Sequence, residues 1–386
     1  MIIKNITVHT MNSVNTVIPN AYIRIENGKI IEVGVYNANH TEDEVMDGKG
    51  LSVYPGFVDA HTHLGIFEDS IAFEGDDANE STEPVTPQLR ALDAVNPMDR
   101  CFSEAVSAGV TTVLTGPGSA NPIAGQILAM KTYGRRIDDM LVAAPVAIKF
   151  ALGENPKSVY NDKDQMPVTR MATAALIRET LTKAKKYKDD RKKAETNSDE
   201  FDPPEFDAKY EALLPLLEGK IPAHFHAHRA DDIFTAIRIA KEFQISYVIV
   251  HATEGHLICE ELKAENAPVL SGPFLTDRSK PELKNLTTQS AGIMAHAGIS
   301  TAIITDHPET PIQYLPICAA VAVREGMDRT DALRAITSTP ARICGIDNRV
   351  GSIEVGKDAD LLFFDGDPLN IMNKPKIVFV SGKRVI

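Results

Sequence analysis

Residues 55–63 read PGFVDAHTH, an apolar run that follows a Pro-Gly pair and ends in two histidines. Side chains at positions i and i+2 of a strand share a face, so we expect His61 and His63 to point the same way at the end of one strand. Two imidazoles on one face can bind a single divalent metal. The stretch therefore predicts a strand that carries the beginning of a metal site.

The chain downstream of this stretch alternates between strand patterns and helix patterns. Helical spacing occurs at residues 98–108, which Gly109 can end, and again at residues 231–243. Apolar strand patterns occur at residues 111–115, 141–149, 221–228, 247–251, 268–274 and 299–306. Such alternation predicts an α/β fold with a parallel sheet and crossover helices. The strand count is near eight, and the pattern leaves the positions of the third and fourth strands open.

The two ends of the chain carry strand signals only. Asn27-Gly28 separates two alternating runs, which is a strong hairpin signal. The last forty residues or so contain DLLFFD and IVFVSGKRVI, which also predict strands. We therefore predict one small β-sandwich domain built from residues 1–54 and 345–386.

A highly charged segment, residues 183–217, interrupts the alternation and contains Pro203-Pro204. We interpret it as a solvated helical insertion between two strand–helix units. The alternative is an arm that contacts a partner.

Composition excludes several classes of protein. The formal net charge of −13 argues against nucleic acid or an anionic membrane as a partner. No stretch approaches the ~20 apolar residues of a membrane span, and the N-terminus lacks signal-peptide features. The four scattered cysteines predict reduced packing residues. We expect a cytoplasmic enzyme with a core large enough for one barrel and a satellite domain.

Polar residues recur where the later strand patterns end. His224, His226 and His228 alternate in AHFHAH, His251 closes YVIVH, and Asp306 closes ISTAIITD. Any one of them could be an ordinary buried side chain. The complete set instead predicts chemistry at the carboxyl ends of the strands, where barrel enzymes place it.

These motifs resemble the amidohydrolase superfamily. The resemblance rests on GFVDAHTH, the later HAH and VIVH, ITDHP, and the tail GSIEVGKDADLLFFDGDP. TTVLTGPGSANPIAGQ followed by AIKFALGENPK is similar to the imidazolonepropionase-like branch. The resemblance implies that residues 55–344 form a metal-dependent (β/α)₈ TIM barrel, closed in a way that periodicity alone does not show.

The resemblance also implies a ligand set for one or two divalent metals. His61, His63, His226 and Asp306 match the metal ligands, and His251 matches the sixth-strand histidine. The metal would be zinc, with iron, manganese or nickel as alternatives.

The fourth-strand position allows three interpretations. Lys149 matches a lysine that is carboxylated and bridges two metals in binuclear relatives. Glu154 is an alternative carboxylate ligand. Otherwise Lys149 is an ordinary lysine beside a mononuclear site.

The resemblance assigns catalysis to Asp306, as the group that takes a proton from water, and to His251, which either binds a second metal or stabilises an oxyanion. His228 is a candidate for substrate contact or for a supporting role. Arg229 either binds a substrate carboxylate or forms an exposed salt bridge. Gln126 and Asn121, in a glycine-rich stretch, are candidate polar contacts.

The predicted function is hydrolysis of a C–N bond, such as a cyclic amide or amidine, in a small-molecule substrate. A prolidase-like dipeptidase with two metals is the first alternative, and a non-catalytic barrel scaffold is the second. Homo-oligomers are usual for such proteins, so we expect the chain to form one.

Overall fold

The computed structural model describes residues 1–36 and 44–386, so residues 37–43 of the predicted N-terminal part lie outside the described residues. The described strands are, in chain order, β1 (Ile2–His9), β2 (Val17–Glu26), β3 (Lys29–Val35), β4 (Val45–Asp47), β5 (Ser52–Pro55), β6 (Phe57–Thr62), β7 (Val110–Thr115), β8 (Ile123–Lys131), β9 (Leu141–Ala151), β10 (Ala223–Ala227), β11 (Tyr247–His251), β12 (Val269–Ser271), β13 (Thr301–Ile303), β14 (Leu361–Phe364), β15 (Ile377–Val380) and β16 (Lys383–Arg384).

The described α-helices lie mainly between the strands of the middle of the chain. They are α1 (Arg100–Ser107), α2 (Ile137–Met140), α3 (Glu154–Asn161), α4 (Arg170–Thr196), α5 (Ala208–Leu217), α6 (Ala230–Phe243), α7 (Cys259–Ala264), α8 (Ser290–His296), α9 (Leu315–Arg324), α10 (Arg329–Arg334) and α11 (Ser338–Ile343). The two helices predicted from spacing, α1 and α6, begin and end within two residues of the predicted bounds.

Both ends of the chain contribute to one sheet. Its strands follow the order β16-β15-β14-β5-β1-β2-β3, and β4 pairs with β1. The predicted hairpin at Asn27-Gly28 joins β2 and β3, which are antiparallel. Since β5 precedes the middle of the chain and β14 follows it, their antiparallel pairing ties the two ends together.

The middle of the chain forms a second eight-stranded sheet, in the order β13-β12-β11-β10-β9-β8-β7-β6. Seven of its strands are parallel, but β8 is antiparallel to both neighbours. The prediction of a parallel sheet with crossover helices is wrong for β8. Residues 116–122 are too few for a crossover connection, which needs a dozen or more residues, so the chain turns back on itself.

The sheet is nearly closed into a barrel. The backbone N of Asp306 donates to the carbonyl oxygen of His61 at 3.2 Å, and the N of His63 donates to that of His307 at 2.8 Å. The barrel interior is apolar, with Val58, Leu114 and Ile127 among the residues that fill it. These features agree with the barrel that the resemblance implied.

The charged segment at 183–217 covers the second half of α4, a connection and α5. These helices pack together through Ile177 and Leu181 on α4 and through Leu213 and Leu216 on α5, all buried. The Tyr187 hydroxyl donates to Glu211 at 2.6 Å. The segment is therefore a helical pair with one buried face, and its charges occupy the other faces.

All four cysteines are unpaired. Among the described residues, we find no helix with the length and apolarity that crossing a membrane requires.

Candidate metal centre

A group of histidines and carboxylates gathers at the carboxyl ends of the parallel barrel strands. His61 is the penultimate residue of β6, His251 closes β11, and Asp306 follows β13. Asp306 Oδ1 lies 3.2 Å from His61 Nε2 and 3.5 Å from His63 Nε2. Strands far apart in sequence thus bring three predicted ligands to one point.

The ring nitrogens that face away from this point are held by neighbouring groups. His63 Nδ1 lies 2.7 Å from the carbonyl oxygen of Gly116, and His251 Nδ1 lies 2.8 Å from that of Gly272. Because a carbonyl oxygen only accepts, Nδ1 carries the proton in both rings. The lone pair therefore resides on Nε2, as in a metal-ligating histidine whose other nitrogen is held by an outer partner.

Candidate ligand atoms form two clusters that share His251. One contains His61, His251 and Asp306, and the other contains His226, His228 and His251. Within each cluster the ligand atoms lie within 4.8 Å of one another; the four histidines are buried, and the Asp306 side chain is 14% exposed. Such a donor set of imidazoles and a carboxylate fits a divalent transition metal.

Lys149 lies beside the first cluster. Its side chain is fully buried on β9, and its Nζ is 3.3 Å from His61 Nε2. Burial lowers the pKa of Lys149 to about 8, although Asp306 partly opposes this effect. The side chain is therefore mainly charged at pH 7, with a minor uncharged fraction that grows as the pH rises.

Burial also determines the charge of the other groups. It lowers the pKa of His251 to about 4 and places that of His61 and His226 well below the usual value, so these rings are neutral at pH 7. Burial by itself raises the pKa of Asp306, but His251 and His61 hold it well below its ordinary range. The site thus presents neutral imidazoles and an ionised carboxylate, the protonation states that metals bind.

Two site residues have unusual backbones. His251 has a φ of +73° and Asp306 a φ of +54°, a region that costs non-glycine residues about 1–2 kcal/mol. Gly272, whose carbonyl holds His251, has a φ of +143°, and a Cβ there would lie 2.3 Å from the oxygen of Ile304. A close backbone approach therefore positions this ring.

A cavity of about 410 Å³ lies elsewhere, near α1 and α9, whereas the cavity over the two clusters measures about 380 Å³. Both are large enough for a small molecule. The cavity over the clusters is lined by charged or polar residues that include His63, His226, His228, Asp306, Lys280, Glu309, Asn79 and Asn155.

Three predicted site residues are not brought to the clusters. Glu154 belongs to neither one, because its Oε2 accepts from the backbone N of Glu282 at 3.3 Å. Gln126 lines a different, small cavity beside Arg90, since the antiparallel course of β8 carries it away. Arg229 forms an exposed salt bridge with Asp231 at 2.8 Å, which is the simpler of its two interpretations.

His228 and His224 have different surroundings. His228, a candidate for substrate contact, lines the cavity and also supplies a ligand atom to the second cluster. His224 is fully buried below the clusters, and neither ring nitrogen has a hydrogen-bond partner within residues 1–36 and 44–386. His307 is buried as well, and its Nδ1 accepts from the backbone N of Ile312 at 3.2 Å.

Comparison with known proteins identifies the family. The sequence model of the amidohydrolase family matches residues 52–386. A solved structure of an amidohydrolase from Thermotoga maritima is 41% identical, covers 100% of this chain and 99% of its own, and has a TM-score of 0.94. The chain belongs to the amidohydrolase family. It is therefore a hydrolase that acts on C–N bonds, and the resemblance drawn from its motifs is confirmed.

Two curated relatives of this amidohydrolase differ in length. An amidohydrolase of Hapsidospora irregularis is 29% identical over 88% of this chain and 37% of its own length. An imidazolonepropionase of Bdellovibrio bacteriovorus is 26% identical over 95% of this chain and 88% of its own. The chain thus spans little more than a third of the first relative and most of the second.

Sequence reasoning missed one buried acid of this amidohydrolase. Glu282 lies in a short turn, Pro281–Leu283, and its side chain is 1% exposed. Its Oε1 approaches the Nε2 atoms of His226 and His228 at 3.8 and 3.6 Å. The local sequence, RSKPELKN, resembles an ordinary charged loop, so no pattern in it indicated this position.

Proposed function

We propose that this amidohydrolase hydrolyses a C–N bond of a cyclic amide or amidine, or a related small non-peptide substrate, with water activated at a divalent metal. The observation that carries the proposal is the convergence of neutral imidazoles and an ionised carboxylate under one cavity. In the proposed first metal position, His61, His63 and Asp306 are the ligands, and His251 lies between this position and the second cluster.

A divalent metal in such a site lowers the pKa of a water molecule to about 7 and polarises a substrate carbonyl. Zinc suits the donor set best, and iron, manganese or nickel would also fit it. The protein's own contribution is to hold the rings in one tautomer and to keep the carboxylate ionised.

Asp306 is the proposed proton carrier. The carboxylate lies at the floor of the cavity, and its neighbours keep it ionised, so it can accept a proton as water attacks the carbonyl. Returning that proton to the departing nitrogen completes the cleavage and restores the carboxylate. His251, neutral and fixed by the Gly272 carbonyl, orients the attacked group from the side.

Lys149 is proposed to be carboxylated. An uncharged buried amine can add carbon dioxide and release a proton to solvent. The carbamate that forms is an anionic ligand, in place of an ammonium group that would repel a metal. The full burial of Lys149 and its position 3.3 Å from His61 Nε2 support this assignment. An unmodified ammonium there would face imidazoles, with Asp306 as a partial counter-charge.

A prolidase-like dipeptidase is the second candidate function. The observation that favours it is the presence of two clusters on either side of His251, because two metal positions suit the binuclear alternative. Its substrate would be a dipeptide with a tertiary amide bond instead of a cyclic amide.

The test combines metal analysis with a substrate panel. The purified chain is reconstituted with zinc, cobalt or manganese, and its metal content is measured per chain. It is then incubated with cyclic amides, cyclic amidines, N-acyl amino acids and Xaa-Pro dipeptides. We expect stoichiometric metal and turnover of one class, which chelation abolishes. A chain that retains no metal after reconstitution would overturn the proposal, and turnover of Xaa-Pro dipeptides alone would select the second candidate.

A further inference from the structure

Glu282 faces the second cluster, although it belongs to no strand of the barrel. The turn that carries it follows β12, and its carboxylate is buried. A buried carboxylate costs several kcal/mol unless charges or hydrogen bonds compensate it. Each of its two oxygens must therefore have a role.

The fold accounts for the burial of one carboxylate oxygen of Glu282, because the backbone supplies its hydrogen bond. Oε2 accepts a hydrogen bond from the backbone N of Glu154 at 3.0 Å. Gly153 leaves the space for this contact, since a Cβ at that position would lie 2.8 Å from Oε2. The carboxylate is thereby fixed in one orientation, with Oε1 directed toward the histidines.

The other oxygen has the spacing of a metal ligand. Oε1 lies 3.6 Å from His228 Nε2 and 3.8 Å from His226 Nε2. Tetrahedral zinc bonds of 2.0–2.2 Å would place neighbouring ligand atoms about 3.3–3.6 Å apart. The first distance thus equals the longest edge of such a tetrahedron, and the second exceeds it by about 0.2 Å.

All three atoms are buried and lack a hydrogen-bond partner among the described residues. Lys280 Nζ forms an ion pair with Oε1 at 2.8 Å, and it also donates to Asn155 Oδ1. Meanwhile, His226 Nδ1 contacts the Ser119 hydroxyl at 2.8 Å, and His228 Nδ1 contacts that of Thr253 at 2.7 Å. Hydroxyl oxygens can accept from both rings and leave each Nε2 lone pair directed at the same point.

We infer that Glu282 supplies a carboxylate ligand to a second divalent metal, which His226 and His228 bind through Nε2. The inference rests on the proposed function, because it adds ligands to the same metal centre. It assigns His228 to the metal instead of the substrate. It also explains why an acid from a surface turn is buried against two neutral imidazoles. Lys280 then balances the charge of the carboxylate at the cavity wall.

The experiment compares Glu282→Gln with wild type in the full chain. Zinc content per chain is measured after dialysis, and zinc affinity is measured by competition with a chromophoric chelator. We expect wild type to hold two ions, and Glu282→Gln to bind the second at least about 100-fold more weakly, since loss of an outer partner alone costs 10–100-fold. Cobalt substitution gives a second readout, because loss of a carboxylate ligand changes the visible absorption spectrum.

Two matched variants separate ligation from structural support. Glu254→Gln changes another buried carboxylate at this end of the barrel, which accepts from Ala230 N and Asn285 Nδ2 and has no place in either cluster. It should keep both ions. Lys280→Met removes the ion-pair partner and should also keep both, whereas His228→Gln should lose the same ion as Glu282→Gln.

The outcomes are distinguishable. If wild type binds no metal, the proposed function fails together with the inference. If wild type binds two ions and Glu282→Gln binds both with unchanged affinity, Glu282 is only the partner of Lys280 and the inference alone is overturned. A Glu282→Gln chain that does not fold is replaced by His228→Gln, for which retention of both ions would again overturn the inference.

Discussion

Two buried groups of charged and polar residues lie at different places in this protein, and they differ in how their atoms are paired. At the junction of barrel and terminal sheet, Lys131 Nζ lies 3.0 Å from Asp358 Oδ2 and also contacts Asp360. Asp358 is bound in addition by Arg349 at 2.8 Å and by Lys29. Opposite charges there neutralise one another.

The metal centre is built in the opposite way. Its imidazole lone pairs and carboxylate oxygens converge, and the Nε2 atoms of His226 and His228 have no hydrogen-bond partner in the part of the chain that the structure describes. Electron-pair donors that face one another repel in the absence of a cation. A buried group whose charges are paired thus stabilises a fold, whereas a buried group whose donors converge is suited to a cation.

Asp306→Asn should have the largest effect. It removes the proposed proton carrier and one metal ligand, so we expect turnover of the substrate found in the panel to fall about 10²–10⁴-fold. Steady-state kinetics of the zinc-loaded variant would measure this. Thermal unfolding of the same sample checks that the chain is folded, and turnover within threefold of wild type would remove Asp306 from the mechanism.

Lys131→Met tests the paired group. It leaves two buried carboxylates with fewer cations, which should lower the free energy of unfolding by about 3–5 kcal/mol. Urea denaturation measures the loss, and metal content per chain should not change. Removing the surface pair of Arg178 and Glu242 by Arg178→Ala should cost less than about 1 kcal/mol. A metal loss in Lys131→Met would show that the two groups are not independent.

Lys149→Met tests the proposed carboxylation. Wild type grown or incubated with ¹³C-bicarbonate should show a carbamate resonance that the variant lacks. We expect the variant to bind one of its ions about 10–100-fold more weakly, by analogy with losses of partners around a metal. Identical carbon spectra and equal metal content would make Lys149 an ordinary buried lysine.

The metal-free protein should lose stability as the pH falls below about 6.5. Burial lowers the pKa of His224 to about 3 and that of His251 to about 4, so the unfolded chain binds protons that the folded chain does not. Each such group contributes about 1.4 kcal/mol per pH unit between its folded and unfolded pKa values. Asp59, whose pKa burial raises to about 7, opposes the trend, as do Asp232 and Glu309, whose pKa values burial also raises; the buried histidines outnumber these acids.

Urea denaturation of the chelator-treated chain at pH 7.0 and pH 5.5 measures this dependence. His224→Gln should reduce the loss of unfolding free energy between these two pH values by the contribution of one histidine. A free energy of unfolding that is constant or higher at the lower pH would contradict the assignment of neutral buried rings.

Arg229→Ala should have the smallest effect. The side chain is 40% exposed and pairs with Asp231 on the surface. Its loss should change the free energy of unfolding by no more than about 1 kcal/mol and leave metal content unchanged. A large rise in KM for the substrate found in the panel would instead restore its interpretation as a carboxylate-binding residue.

Most strands and the convergence of the site were predictable, and the third barrel strand was not. An apolar run precedes each of the site motifs, HxH, HAH, VIVH and ITD. Parallel strands then bring these motifs together, because their carboxyl ends lie at the same end of the barrel. Residues 116–131 contain three glycines and two prolines, which predict turns as readily as a strand. Their antiparallel course therefore stayed hidden, and with it the displacement of Gln126 from the site.

The sequence by itself determined the family, the alternating strands and helices, and the residues that meet at the strand ends, because strand periodicity and motif spacing are local properties. Only the tertiary structure decided that His226 groups with His228, that Glu154 turns to the backbone, and that Glu282 faces the histidines. These outcomes depend on contacts between loops up to 128 residues apart, such as Glu154 with Glu282. The closure of the barrel decides which loops meet, and no local sequence pattern predicts these contacts.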